Sequence, residues 1–147
     1  MSTTRVDYDL VVQELSKTVR PNTLGLTTPL WLQEYRTIRI GAPRQSGMTE
    51  LAGNIISGNK GRTLYLSYDI QSCSDTVQRF VAKGIKDEDV YFFYDNAEAL
   101  RNMELEKKFS QVIVDDSGVY FNHYKYSKFF KAISLLVTDD VIIYLLR

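Results

Sequence analysis

Residues 62–95 read RTLYLSYDIQSCSDTVQRFVAKGIKDEDVYFFYD, and the two ends of this stretch decide the fold. RTLYLSY (62–68) and DVYFFYD (89–95) are short runs rich in apolar and aromatic residues, the composition of strands. Between them SCSDTVQRFVAKG (72–84) opens on Ser and Asp and stops on Gly84, the punctuation of a helix. Two strands joined through a helix need a crossover connection, which makes the strands parallel.

The alternation continues on both sides. Upstream, RTIRIGA (36–42) predicts a strand and TELAGNIISG (49–58) a helix closed by Gly58. Downstream, NAEALRNMELEKKF (96–109) predicts a helix or helical turn and QVIVDD (111–116) a strand. YKYSKFFKAISLLV (124–137) then predicts a helix and VIIYLLR (141–147) a last strand. Nearly unbroken apolar runs such as VIV and VIIYLL suit strands buried on both faces. The expected class is α/β, a three-layer α/β/α sandwich with a mainly parallel sheet of about five strands. Ahead of it, RVDYDLVVQELSKTV (5–19) sets Val6, Leu10, Leu15 and Val19 near one helical face and stops before Pro21. RPNTLGLTTP (20–29), punctuated by Pro and Gly, reads as a connecting loop.

Composition narrows the function classes. The chain has 147 residues, 44% apolar and 24% charged, ordinary values for one globular domain. Its formal net charge is zero, so any grip on nucleic acid must come from a local patch. Cys73 and His123 are the only residues of their kinds, which excludes an intrachain disulfide and a Cys/His zinc site. No signal-peptide core occupies the first thirty residues, and no run approaches the roughly 20 apolar residues of a membrane helix. The reading is a soluble chain of the reducing cytoplasm.

One loop carries chemistry. GAPRQSGMT (41–49) has the spacing of a phosphate-binding loop, G-x-x-x-x-G-K-[ST], except that Met48 stands where the lysine belongs. Such a loop needs glycines whose backbone N–H groups form an anion nest, a helix N-terminus, a lysine for the β- and γ-phosphates and a hydroxyl for magnesium. Gly41, Gly47 and Thr49 meet the first and last of these, while Met48 fills the lysine's volume without its charge. QVIVDD supplies the second element, a strand running into two aspartates, with Asp115 placed to hold magnesium and Asp116 to orient an attacking water. Both motifs fall at the carboxyl ends of strands, where parallel sheets bind ligands.

Together these motifs resemble the P-loop ATPases of the additional-strand type, in which a further strand lies between the two motif strands. The loop APRQSG-x-T is most similar to the ATPase domain of phage terminase large subunits, with helicase motor cores as near relatives. The resemblance spans about residues 37–147 and implies a P-loop fold in one domain, with 1–30 as N-terminal helix and connecting loop and 37–147 as nucleotide-binding core. It implies that Gly41, Ala42, Pro43, Arg44, Gln45, Ser46, Gly47, Met48, Thr49 and Glu50 line ATP, and that Thr49 and Asp115 hold Mg2+. It implies catalytic roles for Asp116 and for Arg44, the latter steadying the γ-phosphate. With Met48 in place, hydrolysis is expected to be impaired. The alternative is a non-catalytic nucleotide-binding or protein-interaction module on the same fold.

HYKYSKFFK (123–131) interleaves aromatic and basic residues. Lys125, Lys128 and Lys131 step along one side of a helix, as a DNA or RNA contact would need, or as any solvated helix face would. A phage assembly or a second copy of the chain is the other partner the resemblance suggests. Trp31, Gln33 and Tyr35 sit before the loop, where they match either an adenine contact or hydrophobic packing.

Overall fold

A computed structural model describes residues 8–41, 48–58, 61–68, 70–93, 99 and 108–147. Among these the strands are β1 (Thr37–Ile40), β2 (Thr63–Leu66), β3 (Val90–Phe93), β4 (Phe109–Val114) and β5 (Val137–Leu146). The helices are α1 (Tyr8–Ser16), α2 (Thr28–Tyr35), α3 (Met48–Ser57), α4 (Ile70–Ala82), α5 (Ser117–His123) and α6 (Tyr126–Ile133), with a 3-10 turn at Asp87–Asp89. The strands form one sheet in the order β1-β5-β4-β2-β3, and every pairing is parallel.

Helices cover both faces, and the strand side chains alternate between them. Leu64, Leu66, Val112, Val114, Ile143 and Leu145 point to the side of α2, α5 and α6. Tyr65, Ile113, Tyr144 and Leu146 point to the side of α1, α3 and α4. A period of two with apolar residues in both phases is what a sheet buried on both sides requires. The expected three-layer α/β/α class is therefore observed, with a sheet that is wholly parallel.

Several boundaries follow from local chemistry. Gly84 takes φ +83°, and the N–H groups of Gly84 and Ile85 close back on Val81 and Phe80, so the expected glycine stop of α4 is present. Residues 28–35 form α2, although Thr28 and Pro29 fall within the expected connecting loop; Pro29 in its first turn is the signal that marks its start. The segment 124–137, expected as one helix, is shorter, because α6 ends at Ile133 and Val137 already belongs to β5. A separate helix, α5, precedes it. The expected helix at 96–109 lies almost wholly outside the described residues, and its last residue, Phe109, opens β4.

β4 and β5 slip in register between Phe109 and Gln111. Arg36 satisfies the backbone there: its guanidinium donates to the carbonyls of Val141 and Asp140 at 2.8 and 2.9 Å. Burial lowers the pKa of this arginine, and Asp140 opposes the shift. Among the described residues no helix is long and apolar enough to cross a membrane.

Candidate functional site at the carboxyl edge

The strand order locates a crevice. From β2 the chain moves outward through α4 to the edge strand β3, whereas from β4 it moves the other way, through α5 and α6, to β5. β2 and β4 are neighbours whose connections diverge onto opposite faces, and in open parallel sheets such a divergence leaves a cleft beyond the strands' carboxyl ends. The residues that continue β2 are Ser67 and Tyr68; those that continue β4 are Asp115 and Asp116.

The backbone ties the edge together. Ser67 N–H donates to the Phe93 carbonyl and Asp115 N–H to the Leu66 carbonyl, each at 2.9 Å, so the ladder runs one residue past each strand. Asp116 then turns the chain with φ 48° and ψ 54°, the left-handed region that Asp tolerates better than most side chains. Its carbonyl accepts from the N–H groups of both Val119 and Tyr120 at 3.0 Å, which starts α5.

Asp115 is the electrostatic centre of the edge. Burial raises its carboxyl pKa, and the Asp116 charge adds to the rise; the nearby Tyr65 hydroxyl and the Asp116 backbone work against it. Asp116 itself is exposed. At the same edge the Tyr68 and His123 rings stack with centroids 3.9 Å apart and planes 11° from parallel. Arg147 lies beside Gly118: a Cβ there would approach its Nε to 3.3 Å. Such an arrangement can present a carboxyl as donor or acceptor, hold a cation through it, and face a planar group.

The residues expected to line ATP are placed unevenly. Gly41 is exposed just past β1, and Glu50 is exposed in the first turn of α3. Ala42, Pro43, Arg44, Gln45, Ser46 and Gly47 lie outside the described residues, as do the side chains of Met48 and Thr49, whose backbone opens α3. Asp115 and Asp116 are together at the edge just past β4, Asp115 partly buried and Asp116 exposed. Trp31 is committed to packing: its indole N–H donates to the Arg20 carbonyl at 2.9 Å and its ring carries the Arg36 guanidinium at 5.6 Å. Lys125, Lys128 and Lys131 are exposed, while Phe129, Phe130, Ala132 and Ile133 bury the other side of α6. Ser67 and Tyr68 were not singled out in the sequence; their signal was their place just after a strand.

No family model and no curated protein matches this chain. Among solved structures it is similar to a precorrin 8W decarboxylase from Methanobacterium thermoautotrophicum, at 14% identity and a TM-score of 0.49, over 99% of this chain and 64% of that one. The chain thus spans less than two thirds of that protein's length, and a likeness of this size carries no chemistry across.

These findings correct the expected family and function. The P-loop ATPase of terminase or helicase kind, with its nucleotide-binding alternative, is matched by no family model, and the solved structure reported above belongs to a protein of another description. The physical reason lies in how little the motif held. Without lysine, G-x-x-x-x-G-x-T is two glycines and a hydroxyl at a strand–helix junction, and such junctions favour those residues for turning and capping alone. A buried strand ending in two aspartates is equally ordinary. ATP binding, hydrolysis and DNA packaging rested on that resemblance.

Proposed function

We propose that this chain is a ligand-binding module of the parallel α/β class, taking a small ligand at the carboxyl edge between β2 and β4, with Asp115 as the group that meets it. The observation that carries this reading is Asp115 itself, a partly buried carboxyl with a raised pKa, standing where the crossovers diverge. Retaining a buried carboxyl costs stability, and such a cost is common where a group is kept for binding.

Magnesium at Asp115 belongs to the same proposal. Mg2+ keeps most of its waters and needs only one or two carboxylates from the protein. That modest demand suits Asp115, since the described residues hold no cluster of three or more His, Cys, Asp or Glu side chains fit for a metal. Bound there, the ion would supply positive charge for an oxygen-rich ligand. The Tyr68–His123 pair would give that ligand a planar wall. Residence in the cytoplasm completes the reading, on the strength of a single cysteine.

An amide NMR titration with magnesium chloride tests it. Saturable shifts at Leu66, Ser67 and Asp115–Gly118, lost in Asp115→Asn and weaker at acid pH, are the expected result. Shifts scattered over exposed carboxylates such as Asp9, Glu14 and Glu34, or unchanged in Asp115→Asn, would sink the reading.

A further inference from the structure

A second concavity opens elsewhere in the fold, near the amino end of β4. It is a groove of about 810 Å³ between α1 and α3, with Gln111 of β4 and Tyr144 of β5 on its floor. This volume falls in the range of small-molecule sites. The carboxyl-edge residues Ser67, Tyr68, Asp115 and Asp116 take no part in its lining.

The floor is unusual for its face. Around it the layer is made of Ile38, Ile40, Leu51, Ile113 and Leu146. Yet Thr63 Oγ1 donates to Gln111 Oε1 at 3.1 Å, and the Tyr144 hydroxyl, whose pKa burial raises, has the polar side chains of Ser16 and Gln111 near enough to oppose that rise. Ser16 in turn donates to the Val12 carbonyl at 2.7 Å. Polar side chains thus interrupt an apolar layer, and Ser16, Gln111 and Tyr144 surface in the groove. Polar groups in such a layer destabilise it unless every member is satisfied, so their presence calls for a use.

Charge balance selects the ligand. Lys17 is paired with Glu14 at 3.1 Å. Asp9 accepts from Asn54 Nδ2 at 3.3 Å, and Asn54 Oδ1 accepts from Lys83 Nζ at 3.0 Å, so the carboxylate is linked to an ammonium through one amide. Among the described residues that line the groove, the two charged groups, Asp9 and Lys17, thus already have polar partners. What the groove presents is carboxamides and hydroxyls, from Gln13, Gln111 and Ser16, beside the apolar walls of Val12 and Ile55. Hydroxyl groups on a ring with a C–H face match both kinds of surface.

We infer that the groove between α1 and α3 is a binding site for a neutral polyhydroxylated small molecule, separate from the carboxyl-edge site. Ring hydroxyls exchange hydrogen bonds with Gln13, Ser16 and Gln111 while the C–H face lies against Val12 and Ile55. The inference does not rest on the magnesium reading.

The test is an amide NMR titration of the whole chain with myo-inositol and with glucose through the millimolar range. Expected are saturable shifts at Val12–Ser16, Asn54–Gly58 and Gln111, weakened about fivefold in Gln13→Ala, the cost of one lost hydrogen bond. Gln13 is exposed on α1, so this variant keeps the fold, and its unperturbed spectrum elsewhere verifies that. A bulky Gln13→Trp should close the groove and abolish the shifts. The inference is overturned if neither compound gives saturable shifts there, if Gln13→Ala and Gln13→Trp titrate like the parent chain, or if the shifts fall at the carboxyl edge.

Discussion

On the face covered by α2, α5 and α6 the sheet meets a wall of rings. Tyr120, Phe129 and Phe130 are fully buried, and Phe129–Phe130, Phe121–Phe129 and Tyr126–Phe130 meet edge-on with centroids 4.9–5.1 Å apart. On the face covered by α1, α3 and α4 the layer is aliphatic around Tyr65 and Phe80, is interrupted by the polar groups of Thr63, Gln111 and Tyr144, and stands beside an open groove. Edge-on ring pairs add attraction beyond their buried area, so the first face should hold more of the stability. The second tolerates polar groups because water and the groove are near. One face seals and the other can bind.

The largest effect expected from this contrast is Phe130→Ala, which should destabilise the chain by about 3–5 kcal/mol in urea unfolding. Ile55→Ala, beside the groove, should cost about 2 kcal/mol, because its site already borders open space. Equal losses from the two variants would break the comparison. Tyr144→Phe sharpens it: removing this hydroxyl from the polar lining of the groove should cost at most about 1 kcal/mol, measured in the same way. A loss as large as that of Phe130→Ala would mean that the Tyr144 hydroxyl belongs to the core rather than to the groove.

Asp115→Asn should act in the opposite direction. The folded-state pKa of Asp115 lies above its unfolded value, so the folded chain holds the proton more tightly. Stability from this group is present below the unfolded carboxylate pKa and is lost as pH rises through the folded one. At neutral pH the amide should therefore raise Tm by a few degrees, and the gain should vanish in acid. A Tm difference that does not change with pH would show that Asp115 carries no buried charge. The smallest effect is expected for Asp116→Gly, a gain of about 0.5 kcal/mol from relieving its left-handed backbone, read from the same unfolding curves.

Much of the layered fold was legible residue by residue. Gly84 stopped α4 as its position suggested, and the nearly unbroken apolar runs VIV and VIIYLL announced strands covered on both sides. α2 was missed because its polar and apolar residues make no clean stripe, and tertiary packing of Trp31 and Leu32 holds it. α5 was missed because seven residues are too few for a period to show. At the candidate site, Asp115 and Asp116 were visible as a pair, but the partners that give them meaning were not. Tyr65 and Tyr68 come from β2 and the turn after it, and His123 from the end of α5, so only folding brings them to the β4 terminus. The loop 41–49 misled for a related reason: a spacing of glycines describes a backbone shape, and a shape does not name its ligand.

What the sequence determined by itself was the order of elements and the two-sided burial of the strands, since both depend on near neighbours and on a period of two. Only the tertiary structure decided that β5 inserts between β1 and β4, and that the crossovers diverge at β2 and β4. It also decided that Gln111, Tyr144 and Ser16 meet beneath a groove. Those facts depend on which strands pair across long separations, a choice made by the packing of whole layers rather than by any local run of residues.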